Sequence, residues 1–131
     1  MHPDRRITPL FACLLALLAL PTQAVDRMRA GQWETITNLD GKNVDTRSAC
    51  VPPGEVDFMN GDAASIRAGM EKQLQGACKV KDVKANGDQV VMTLSCAGQE
   101  STTTTNYHGD SYDSVSPIGM TIKAKRLGAC K

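Results

Sequence analysis

Excess charge of one sign, aromatic rings, histidine and long apolar runs are all scarce in this chain of 131 residues. Each scarcity excludes something. Lys plus Arg number 15 against 14 for Asp plus Glu, and setting aside Asp4, Arg5 and Arg6 near the N-terminus leaves 13 of each sign. A neutral domain without a basic stripe lacks the usual electrostatic route to nucleic acid or an anionic membrane, so no nucleic-acid partner is expected. One histidine, His108, follows the N-terminal segment, so any His-based triad or metal site must use it. No P-loop, dinucleotide fingerprint, zincin helix or calcium loop occurs. The nearest approach to a nucleophile elbow, Gly109-Asp110-Ser111-Tyr112-Asp113, ends in Asp where a second Gly is needed.

What the chain does have begins with a three-part export pattern. Arg5 and Arg6 supply a charged start, Ile7 to Leu20 an apolar run, and Pro21-Thr22-Gln23-Ala24 small residues at a cleavage site after Ala24. The apolar run is about 14 residues against the roughly 20 that cross a bilayer, so it reads as a removable signal peptide over residues 1–24. Leu10-Phe11-Ala12-Cys13 faintly resembles a lipoprotein box, yet Phe11 is bulky for that motif and the apolar run continues past Cys13. No stable membrane anchor is expected after cleavage. Residues 25–131 are then a single periplasmic domain.

Four cysteines remain in that domain, Cys50, Cys78, Cys96 and Cys130, with no C-x-x-C pair among them. An even count in a small exported domain points to two disulfides rather than a metal site. Leu, Ile, Val and Phe make up 18 of the 107 residues from Val25 onward, below the roughly 20% under which highly charged chains are often disordered, but the neutral charge balance argues for a folded domain. The core is thin, and two bridges of about 2 to 4 kcal/mol each would help hold it.

The pattern along the chain is mostly of strands. Gly31 to Thr37 is β-branched and aromatic, Asp40-Gly41 is a hairpin turn, and Asn43 to Ala49 returns. Val51-Pro52-Pro53-Gly54 breaks regular structure. Ile66, Met70 and Leu74 recur every fourth residue, which predicts one packing helix over 62–75, capped by Asp62 and ended by Gly76. Lys79 to Ala85 and Gln89 to Cys96 flank a turn at Asn86-Gly87-Asp88, with Val90, Met92, Leu94 and Cys96 on the inward face. Ser101 and Thr102 to Thr105 put hydroxyls on both faces of the next strand, which suits a solvated or edge position. Two more strands follow, over Ser111 to Ser116 and Met120 to Leu127. The expected fold is α+β: an antiparallel β meander of about seven short strands in a curved sheet, with one helix packed on a face and two disulfides.

A loop of three residues centred on Gly87 would place Cys78 opposite Cys96, and Cys50 pairs with Cys130 by elimination. A strict two-residue Asn86-Gly87 turn would put Cys78 and Cys96 on opposite faces unless a bulge restored the register.

Met28-Arg29-Ala30-Gly31-Gln32-Trp33-Glu34, Cys50-Val51, Tyr107-His108-Gly109-Asp110-Ser111-Tyr112 and Arg126-Leu127-Gly128-Ala129-Cys130 together resemble a family of small exported proteobacterial proteins. That family is catalogued as domain of unknown function 3617. The resemblance spans nearly all of the domain and implies a periplasmic address; it implies no activity, cofactor or catalytic residue.

Function is therefore read from what the residues permit. The reading is a non-catalytic binding or protein-interaction module, with a periplasmic protein, a peptide or a small apolar ligand as partner and no cofactor or metal. Tyr107, His108, Asp110 and Tyr112 form the candidate interaction surface, since two aromatics flank a turn carrying a titratable group. The same tyrosines also suit a core-covering role. The alternative is a small hydrolase or copper-binding protein using His108. Soft thioethers suit Cu(I), but Met28, Met59, Met70, Met92 and Met120 are scattered in sequence.

Intact-mass analysis of the exported protein is expected to give the mass of Val25 to Lys131. A mass that retains residues 1–24, or lipid on Cys13, would overturn the cleavage assignment.

Overall fold

The computed structural model describes residues 25–131, so the signal-peptide reading of Met1 to Ala24, with Cys13, lies outside the described residues. Strand β1 (Gly31–Leu39) turns into β2 (Lys42–Val51) through Asp40 and Gly41. Their φ angles are 49° and 80°, the left-handed pair that matches a two-residue hairpin to the twist of its strands.

Two helices follow where one was expected. Helix α1 (Pro53–Met59) starts at the proline pair that reads in sequence as a break. Pro53 is its first residue, where a missing N–H costs nothing and the ring presets φ. Helix α2 (Ala63–Leu74) agrees with its sequence pattern: Asp62 accepts from the Ser65 amide at 2.9 Å, and Ile66 is fully buried with Met70 and Leu74 packed beside it. Gln75 takes the left-handed conformation one residue before the expected Gly76 terminator. Gly69 lets the helices close together, because any Cβ there would collide with the Phe58 ring of α1.

Five more strands complete one antiparallel sheet: β3 (Cys78–Asn86), β4 (Gln89–Cys96), β5 (Gln99–Tyr107), β6 (Ser111–Val115) and β7 (Met120–Gly128). The order is β2-β1-β7-β6-β5-β4-β3, so the last strand pairs with the first and the sheet stays open between β2 and β3. The helices join these two outermost strands, carrying the chain from one edge of the sheet to the other. With seven strands and two short helices the fold is mainly β, which corrects the α+β class expected while keeping its antiparallel meander. One core joins Trp33, Val80, Val83, Val90, Tyr107 and Ala124 of the sheet to Val56 and Met59 of α1 and Ile66 of α2.

Strand β5 also departs from expectation, lying between β4 and β6 and not at an edge. Two of its threonine hydroxyls pair across strands: Thr102 meets Thr93 at 2.9 Å, and Thr105 meets Ser114 at 2.7 Å. Paired hydroxyls and branched side chains suit an interior strand.

The β3–β4 register shows how a bulge positions a disulfide. Asn86 pairs with Gln89, which leaves Gly87-Asp88 as a two-residue turn in place of the expected three-residue loop. That register alone would offset Cys78 from Cys96; Lys81, bulged out between Val80 and Asp82, brings them opposite one another. Arg67 of α2 donates to the Val80 and Lys81 carbonyls at 2.8 and 3.2 Å and supports the bulge. Cys78 is bonded to Cys96, and Cys50 to Cys130 across a separation of 80 residues.

The N-terminal segment is held by a buried cation. Arg27 is 2% exposed, and its guanidinium donates to the carbonyls of Gly87, Met59 and Gly61 at 2.8, 2.9 and 2.6 Å. Asn60 accepts from the amides of Arg27 and Met28 at 2.9 and 3.0 Å, and donates to the Met28 carbonyl at 2.9 Å. The Arg27 carbonyl accepts from Gly109 on the β5–β6 turn at 3.0 Å.

Arg27→Met is expected to cost about 2 to 4 kcal/mol, since it leaves three carbonyls without their charged donor. Urea unfolding would measure this, with exposed Arg29→Ala as the control. Equal midpoints for the two variants would remove Arg27 from its structural role.

Candidate functional site

A cleft of about 300 Å³ lies between the helix pair and the inner face of the sheet. Alternation along the strands decides what lines it. Thr105 and Tyr107 of β5 point inward opposite Ser114 and Tyr112 of β6, and Trp33 and Thr35 of β1 and Ile122 of β7 extend that floor. The rings form a row: Trp33 and Tyr112 have centroids 5.7 Å apart, and Tyr112 and Tyr107 5.4 Å, both pairs tilted. Trp33 is anchored by its indole N–H, which donates to the Arg29 carbonyl at 2.9 Å. Met28, Met59, Met70 and Met92 supply the apolar walls.

Polar groups occupy the rest of the lining. Arg47 of β2, Glu55 of α1 and Gln73 of α2 line the same cleft. Arg47 is engaged with the Asp45 carboxylate, through Nε at 2.8 Å and a terminal nitrogen at 2.7 Å. Glu55 is half-buried and, among the described residues, makes no ion pair within 4.0 Å. It stands in the first turn of α1, where the helix N-terminus favours a negative side chain.

The four residues singled out from sequence fall into two groups. Tyr107 is buried, Tyr112 is half-buried, and both line the cleft. His108 and Asp110 have exposed side chains and are not part of its lining. Asp110 binds Arg29 at 2.8 Å, while His108 Nε2 lies 3.5 Å from Asp113, so the two exposed side chains of this turn are engaged with different partners. Among the described residues, no three His, Cys, Asp or Glu side chains converge on a point that could hold a metal.

Sequence reasoning passed over Glu55, Arg47, Gln73 and Ile122, and it took the methionines as dispersed. Met28, Met59, Met70 and Met92 come from the N-terminal segment, both helices and β4. Only the sheet order and the helix crossing bring them together. Local periodicity marked Met70 and Met92 as inward-facing, and that was the available signal.

Burial is the largest influence on both phenols and pushes each above the ordinary tyrosine value of 10.0. At Tyr112 a hydrogen bond with Thr35 opposes the rise and the negative charge of Glu55 adds to it; at Tyr107 the neighbouring Tyr112 adds to the rise, the positive charge of Arg27 opposes it, and Glu55 adds a smaller contribution. The unfolded phenols ionise near 10 while the native ones keep their protons to higher pH. The stability they contribute is therefore intact below about pH 10 and is lost as the pH climbs past it. Tyrosinate absorbance is expected to rise together with alkaline unfolding. Ionisation near pH 10 with the fold intact would contradict the burial of both rings.

The sequence pattern of the family described as "Protein of unknown function (DUF3617)" matches residues 28–130, from Met28 of the N-terminal segment to Cys130 of the second disulfide. No curated protein and no solved structure matches the chain significantly. With nearly the whole described fold inside that match, the chain belongs to the DUF3617 family.

Proposed function

We propose that this protein is an exported, non-catalytic binding protein that takes a small, largely apolar ligand into the cleft between its helix pair and its sheet. The observation that carries this reading is the cleft itself. It has a volume of about 300 Å³, within the range of small-molecule sites, an aromatic and thioether lining and a few polar groups. Methionine side chains adapt to varied shapes, which suits a surface that must accept ligand without rearranging the fold. Two disulfides support export to an oxidising compartment, and a signal peptide over residues 1–24 would deliver it there. His108 lies outside the cleft lining and has no part in this reading.

Trp33 is the sole tryptophan, so its fluorescence reports directly on the cleft floor. Titration with the neutral probe N-phenyl-1-naphthylamine is expected to quench Trp33 saturably. Ala49 lines the cleft from exposed strand β2, so Ala49→Phe should narrow the cleft without disturbing the core. It is expected to weaken probe binding about tenfold, equivalent to about 1.4 kcal/mol, with little change in melting temperature. Absence of saturable quenching, or equal affinity in Ala49→Phe, would count against the cleft as a binding site.

A further inference from the structure

We infer that the cleft selects an organic cation: an alkyl or aryl ammonium whose apolar body lies along the methionine walls and whose charge meets Glu55 and the ring of Tyr112. This rests on the cleft being a ligand site and adds the chemical class of the ligand.

The argument is one of charge complementarity inside a largely apolar site. Two charged side chains line the cleft, Arg47 and Glu55. Arg47 is neutralised by Asp45 at 2.7 Å. Arg27, the nearby buried cation, is committed to the carbonyls of Met59, Gly61 and Gly87 and does not line the cleft. Glu55 is left as the lining charge without an ionic partner among the described residues. Its carboxylate is close enough to Tyr112 for its charge to oppose ionisation of that phenol, whereas at Tyr107 the positive charge of Arg27 works against it.

The rings point to the same ligand class. Trp33, Tyr112 and Tyr107 stand in one row at 5.7 and 5.4 Å; Trp33 and Tyr107 are buried, so the half-buried Tyr112 is the ring that can offer a face, which attracts a cation through its quadrupole. Three of the four aromatic residues of the domain are collected in this one place, where a carboxylate and soft thioether groups join them. An anionic ligand would bring its charge against Glu55 and the negative ring faces. A neutral ligand would leave Glu55 half-desolvated without compensation.

The test compares two probes of the same shape, phenyltrimethylammonium and tert-butylbenzene, which differ in the charged nitrogen. With Trp33 fluorescence as the readout, the cation is expected to bind about tenfold tighter at neutral pH, the advantage of a partly desolvated cation on aromatic faces. In Glu55→Gln the cation should lose most of that advantage while tert-butylbenzene binds at least as tightly as before, which also shows that the variant is folded. Equal affinity of the two probes, or a preference for the cation that survives Glu55→Gln, would overturn the inference while leaving the binding reading standing. Failure of both probes to bind would overturn both.

Discussion

A single guanidinium sets the spacing between the helices and the sheet. Arg27 donates to Met59 and Gly61, at the link between α1 and α2, and to Gly87, in the β3–β4 turn. Its own carbonyl holds the β5–β6 turn through Gly109. Four parts of the chain that are distant in sequence meet at this residue. Charge-assisted hydrogen bonds are stronger than neutral ones, and burial removes the water that would compete for them. The domain has few large apolar side chains. A polar knot of this kind, together with two covalent bridges, does work that a thicker core would otherwise do.

The bridges and the bulge solve related problems. Strands β2 and β3 are the open edges of the sheet, and each carries a cysteine. Cys50 ties β2 to the C-terminal residues, and Cys78 ties β3 to β4. Edge strands lack a partner on one side and fray most readily, so covalent closure there limits local opening. The bulge at Lys81 also twists an exposed edge, which discourages pairing with another chain. Arg67 links this edge to α2, so the helix that covers the core also braces the strand that would otherwise be weakest.

The cleft follows from the same economy. A pair of short helices crossing a seven-stranded sheet covers only part of its inner face. Trp33 and Tyr107 fall under that cover and are buried, while Tyr112, Met70 and Met92 are only partly buried beside them. Tyr107 and Tyr112 therefore pack with the core and line the cleft at the same time. A small domain has little surface to devote to each task, and inward-facing aromatics at the margin of a thin core can meet both needs.

Local features were legible in the amino-acid sequence because the interactions that create them span a few residues. The Asp40-Gly41 hairpin, the Asp62 cap, the apolar stripe of α2 and the alternation of β4 are of this kind. Helix α1 was hidden because its seven residues are too few to show a period and open with prolines. The interior position of β5 depends on which strands flank it, which its own threonines do not reveal. The cleft was beyond sequence reading for the same reason. Glu55, Arg47, the aromatic row and the four methionines lie on seven strands or helices and the N-terminal segment. The pairing of β1 with β7 and the helix crossing decided that they would share a wall, because side-chain neighbours in a sheet are set by long-range pairing and not by distance along the chain.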